Sequence, residues 1–131
     1  MQRNRILIVD DNPIDHMITA HVLKTFYKLW DIIVMESAAE ALAFIDQHKA
    51  NIDELPSLII LDLDMPVLNG IGFLEQFELH TKELKEACKI VVLTASDVIA
   101  DLKVMLANPN VIKLIAKPLS KNALTSVIRV A

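Results

Sequence analysis

The chain has 131 residues, the size of one ordinary domain, and its single cysteine, Cys88, excludes an internal disulfide. Hydrophobic residues make up 53% of it, yet no apolar run approaches the roughly 18 residues that span a bilayer, and residues 1–5 lack the pattern of a signal peptide. A net charge of −4 without a basic cluster argues against nucleic acid as a partner, while the lack of a spanning run and of a signal peptide makes a cytoplasmic chain without a membrane partner the expectation.

The first apolar run, 6–9, reads as a short buried strand and ends at Asp10-Asp11. Asn12 can cap a following helix and Pro13 suits its first position. Ile14, Met17, Ile18, Val22 and Phe26 share one face of that helix. Tyr27 and Trp30 read as packing residues before a second run, 32–35. Ser37 and Glu40 form a capping box that opens a second helix, with Ala41, Leu42 and Ile45 inward. A third run, 58–63, carries Asp62 at its end, and Phe73, Leu74 and Phe77 mark a third helix. The charged stretch 82–86 reads as a solvated helix end or loop, and Cys88 as an ordinary thiol before a strand. A fourth run, 90–93, leads to Thr94. Leu102, Met105 and Leu106 mark a fourth helix, stopped by Asn108-Pro109. The fifth run, 111–115, precedes Lys117, and Leu124, Val127, Ile128 and Ala131 mark a fifth helix running to the chain end.

Five repeats of strand then helix predict an α/β fold, a doubly wound parallel sheet with helices on both faces. With no linker or repeat, residues 1–131 read as a single domain with nothing attached. In such sheets the ligand site lies at the carboxyl ends of the strands. That edge collects Asp10, Asp11, Asp62, Asp64, Thr94 and Lys117. Carboxylates gathered there repel one another, and a divalent cation relieves the conflict; oxygen ligands of this kind suit Mg²⁺. An aspartate at the centre can then act as a nucleophile toward a phosphoryl group, with a lysine and a hydroxyl neutralising charge in transfer.

The run Leu-Asp-Leu-Asp-Met-Pro-Val-Leu-Asn-Gly over 61–70 follows Ile8-Val9-Asp10-Asp11 and precedes Leu93-Thr94-Ala95 and Ala116-Lys117-Pro118. All four motifs, in that order, resemble a response-regulator receiver domain over nearly the whole chain. The resemblance implies a flavodoxin-like sheet in strand order 2-1-3-4-5. It implies that Asp62 is the phosphoacceptor and that Asp10, Asp11 and Asp62, with the backbone carbonyl of Asp64, hold Mg²⁺ or Mn²⁺. It makes Lys117 the phosphate-gripping lysine, Thr94 the switch hydroxyl and Ala95 the small residue beside the phosphate. A cis bond between Lys117 and Pro118 is expected from the same likeness. Implied partners are a histidine kinase or histidine phosphotransfer protein and an unknown downstream protein. Such a chain is a signalling phosphoacceptor, catalysing at most its own phosphotransfer and dephosphorylation.

One position departs from the family pattern. Three residues before the lysine, where the family usually has Tyr or Phe, stands Leu114. The aromatic half of the usual switch is missing. Val98, Ile99, Val104 and Val111 suggest a partner or dimer surface on the fourth helix, fifth strand and fifth helix; packing inside the monomer is the alternative. Other functions remain open at this point. A degenerate receiver would serve as an unphosphorylated scaffold. A haloacid-dehalogenase-like phosphatase would use Asp62 and Asp64 as its Asp-x-Asp pair, but Pro66 and the third-strand position do not fit. A flavin carrier would need a hydroxyl- and glycine-rich loop where Asp10-Asp11 stands. His16 and His21 are five apart, so they do not share a helix face as ligands; with His48 and His80 they read as structural or exposed.

Overall fold

The computed structural model describes residues 4–63, 70–95, 103, 106–124 and 127. Five strands form one parallel sheet: β1 (Arg5–Val9), β2 (Asp31–Met35), β3 (Leu58–Asp62), β4 (Lys89–Thr94) and β5 (Val111–Ala116), in the order β2-β1-β3-β4-β5. This is the expected doubly wound order, and each strand lies within a residue or so of its apolar run. Among the described residues the helices bounded at both ends are α1 (Pro13–Phe26), α2 (Ala38–His48), α3 (Gly70–Phe77) and α4 (Lys82–Ala87), with 3-10 turns at Ile52–Glu54 and Lys121–Leu124.

The apolar surplus has a direct structural use. β3 is buried at every residue, β1 at all but its first and β4 likewise. Strands covered on both faces must be apolar on both. Side-chain alternation then sends the same strands into two cores. Leu7, Val9, Ile59, Leu61 and Val92 meet Ala41, Ile45, Phe73 and Phe77 on one face. Ile6, Ile8, Ile60, Val91 and Leu93 meet Ala20, Leu23 and Tyr27 on the other. Truncating Phe73 or Phe77, both fully buried, would cost about 3–5 kcal/mol. The edge strand β2 is half-buried, which is where the continuous-run rule relaxes.

Three expectations change. The apolar stripe of α1 faces the sheet only in part: Ile14, Met17, Ile18 and Phe26 are exposed, Val22 packs half-buried against the second core, and Thr19, Ala20 and Leu23 are buried. Ala20 and Thr19 are small and let the helix lie close to the strands. Second, the charged stretch 82–86 is a helix of its own, capped by Thr81, whose hydroxyl accepts from Leu84 N–H, and anchored by buried Leu84. Third, the suggested partner surface loses Val111, which is buried; Val98, Ile99 and Val104 lie outside the described residues. So do most of the expected fourth and fifth helices, although Lys103, Leu106 and Ala107 are helical. None of the described helices is long and apolar enough to cross a membrane.

Candidate functional site

The parallel register puts the strand ends side by side. Val9 pairs with Met35 and with Leu61, Asp62 with Leu93, and Thr94 with Ala116. Asp10 and Asp62 therefore finish adjacent strands at the point where the strand order reverses, the crevice in which such sheets bind ligands. Asp10 N–H extends the β2 ladder to Met35 O at 3.1 Å, and Lys117 N–H reaches Thr94 O at 3.0 Å. Both residues that flank Asp62 are thus tied to the sheet by main-chain bonds. The Lys117–Pro118 bond is cis, as expected.

Carboxylate oxygens of Asp10, Asp11 and Asp62 lie within 4.8 Å of one another. Asp10 and Asp62 are buried and Asp11 is half-buried. Burial pushes the Asp10 carboxyl up from 3.8 to about 7; its hydrogen bond from Asn12 N–H at 2.9 Å works the other way, and the Asp62 carboxylate adds to the rise. Two buried carboxyls in contact, with one forced toward its neutral form, are an unfavourable pair. An all-oxygen set with one partly open member suits a hard divalent cation that keeps some of its waters. The donor set fits such an ion.

Lys117 stands opposite. Its Nζ lies 2.9 Å from Asp62 Oδ1, 3.0 Å from Asp15 Oδ2 and 4.0 Å from Asp10 Oδ2. Burial disfavours its charge, but the hydrogen bonds to Asp62 and Asp15 and the charges of Asp62 and Asp10 outweigh burial, so its pKa is raised. It is a fixed cation at any ordinary pH. Thr94 is buried at the end of β4, and Ala95, exposed, lines the same cleft of about 670 Å³ with Asp62 and Lys117.

Local sequence explains the placement. Asn12 caps α1 by accepting from Ile14 and Asp15 N–H at 3.0 and 3.1 Å, which turns the chain sharply after Asp11. Gly70 starts α3 hard against the residue after Asp62: a Cβ there would lie 3.0 Å from Leu63 Cα and 3.2 Å from Asp62 O. Any side chain there would have to push the backbone beside Asp62 by a few tenths of an ångström, and glycine avoids that.

The expected site residues Asp10, Asp11, Asp62, Thr94, Ala95 and Lys117 gather at one sheet edge; Asp64 lies outside the described residues. Leu114, opposite Val92 in the register, packs half-buried against the core rather than lining the cleft. The histidines stay out of the acidic cluster. His16 Nε2 is 3.8 Å from Glu36 Oε1, and His48 Nδ1 is 2.8 Å from Phe44 O. Asp15 is the site residue that sequence reasoning missed. Its only signal was its place three residues after the cap, on the turn nearest Asp11.

A model of the response regulator receiver domain matches residues 6–129. The chain belongs to that family. As a receiver it is a phosphoaccepting domain of two-component signalling, and the phosphatase and flavin-carrier alternatives fall away. Response regulator Rcp1 of Synechocystis sp. is 34% identical over 100 residues, covering 72% of this chain and 67% of that protein. A two-component response regulator from Cytophaga hutchinsonii has the same fold, with a TM-score of 0.86 at 24% identity over 96% of this chain and 94% of that one. The structure described as the Mn(2+)-bound form of Rcp1 superposes at a TM-score of 0.74, with 27% identity over 94% and 87% of the two chains. Protein-glutamate methylesterase/protein-glutamine glutaminase 3 of Rhodopseudomonas palustris is 40% identical over 72 residues, 55% of this chain but only 18% of that much longer protein.

Proposed function

We propose that Asp62 is the phosphoacceptor of this receiver. The observation that carries the reading is the setting of its carboxylate: buried at a strand end, within 4.8 Å of the Asp10 and Asp11 oxygens and 2.9 Å from an ammonium. In transfer, an Asp62 oxygen forms the new O–P bond as the P–N bond of a phosphohistidine breaks, and the imidazole leaves with the electron pair. Lys117 offsets charge on the phosphoryl oxygens, and the Thr94 hydroxyl donates a hydrogen bond to one of them. Asp10, Asp11 and Asp62, with the carbonyl of Asp64, would hold Mg²⁺ or Mn²⁺, which supplies further charge neutralisation when bound. The Mn²⁺-bound form of Rcp1 supports this choice of ion class.

The donor is a histidine kinase or histidine phosphotransfer protein, met in the cytoplasm. The outward apolar face of α1, with Ile14, Met17 and Ile18 exposed beside the cleft that Ile18 lines, is the docking surface that fits it. Output passes through contacts with a downstream protein, by way of Thr94 and Ala95. Leu114 is already packed against the core and has no ring to swing inward. Output coupling is therefore weaker than with an aromatic switch, whose worth is typically about 1–3 kcal/mol.

The test is incubation with a small phosphodonor and Mg²⁺, followed by intact mass. One phosphoryl group is expected on the native chain and none on Asp62→Asn. Equal labelling of the two would overturn the assignment.

A further inference from the structure

The ammonium of Lys117 carries a partner that the chemistry above does not use. Asp15 Oδ2 lies 3.0 Å from it, as close as Asp62 does. Asp15 is not among the carboxylates whose oxygens cluster for a metal, and none of the four motifs contains it. A carboxylate in the first turn of α1 is favoured by the helix dipole. That accounts for an acidic residue in the turn, not for its reach across the cleft to a residue 102 positions away. The exposures show which side it occupies. The Asp62 side chain is 2% exposed, that of Lys117 17% and that of Asp15 36%. Asp62 holds the ammonium from inside, and Asp15 holds it from the solvent side, at the mouth through which a donor enters.

We propose that Asp15 sets the phosphodonor preference of this receiver, by competing for Lys117 at the mouth of the cleft and repelling small, doubly charged donors. The proposal rests on Asp62 being the phosphoacceptor. A free acyl phosphate brings two negative charges and little other binding energy, so it meets the Asp15 charge undefended. Lys117 must also turn from Asp15 toward the phosphoryl oxygens during transfer. A phosphohistidine presented by a docked protein offsets that loss through contacts remote from the reacting atoms. In each reaction the bonds balance simply. Asp62 gains the O–P bond; acetyl phosphate loses its bridging P–O bond and leaves as acetate, while phosphoramidate loses its P–N bond and leaves as ammonia after taking a proton from solvent.

The experiment compares the native chain, Asp15→Asn and Asp15→Glu at saturating Mg²⁺. Phosphorylation rates are followed by intact mass, with acetyl phosphate as the doubly charged donor and phosphoramidate as the singly charged one, at low and high salt. Asp15→Asn is expected to react about five- to tenfold faster with acetyl phosphate and to gain less with phosphoramidate. Added salt should speed the native chain with acetyl phosphate and affect Asp15→Asn less. Asp15→Glu should stay within about twofold of native, since it restores the charge. Mg²⁺ affinity, read by calorimetry without any donor, should be nearly equal in all three. Equal acceleration with both donors, or slower reaction in Asp15→Asn, overturns the proposal, the latter by making Asp15 an aid to transfer. A tenfold loss of Mg²⁺ affinity in Asp15→Asn also overturns it, by making Asp15 a metal ligand. No labelling of any of the three with either donor overturns the Asp62 reading as well, which separates the two failures.

Discussion

The two ends of the sheet handle charge in opposite ways. Where the strands begin, charges are exposed and paired at ease. Arg5 Nε bonds Asp31 Oδ2 at 3.1 Å between the first residues of β1 and β2, and Glu78 accepts from Lys85 at 2.9 Å and from Asn110 at 2.6 Å beside β4 and β5. Where the strands end, Asp10 and Asp62 are buried against each other and Lys117 is the ammonium set among them and Asp15. The first end can trade its pairs for water at little cost. The second cannot, and on the proposed reading its crowding is what a cation and a phosphoryl group would relieve, so that function would sit at the end that costs the fold stability.

The largest effect should come from removing the cation of the crowded end. Lys117→Met leaves buried carboxylates without their ammonium, and metal-free stability in urea should fall by about 2–4 kcal/mol. Mg²⁺ should restore part of the loss, because a ligand bound only by the folded state stabilises it. A fall no larger than that of a surface substitution would mean that the carboxylates are not in conflict.

Asp10→Asn should act in the other direction. Its folded pKa, about 7, stands above its ordinary value of 3.8, so the folded state binds that proton more tightly than the unfolded one. The Asp10 contribution is therefore harmless below about pH 4 and becomes a penalty as the pH rises toward 7. Metal-free Asp10→Asn should be about 1–3 kcal/mol more stable than native at pH 7.5 and no more stable near pH 4. An amide oxygen can still accept from Asn12 N–H. A gain that is the same at both pH values would point to packing rather than charge.

At the paired end the effect should be smallest. Arg5→Ala removes the Arg5–Asp31 bond, whose partners are 33% and 61% exposed, and its salt-bridge part should amount to less than about 1 kcal/mol. A larger effect that fades in salt would erase the contrast between the two ends.

How much of this was legible beforehand varies by residue type. The strands were visible because burial on both faces demands unbroken Ile, Val and Leu, as in residues 58–62. Asp10, Asp62, Thr94 and Lys117 were visible because each ends or follows such a run. The buried side of α1 was hidden because it is built from Thr19, Ala20 and Leu23, while the longer apolar residues face outward. Alternating Lys and Glu disguised α4, in which only Leu84 is buried. Asp15 offered only its place in the first turn of α1, since its partner Lys117 comes from the other end of the chain.

The most direct measurement locates the phosphoryl group. The native chain, labelled with a small donor and Mg²⁺, would be treated with borohydride, which reduces an acyl phosphate to the corresponding alcohol, and then mapped by peptide mass. The mark is expected at Asp62, with Asp10, Asp11 and Asp15 unreduced. A mark on any of those three, with Asp62 unmarked, would contradict the placement of the acceptor at the end of β3.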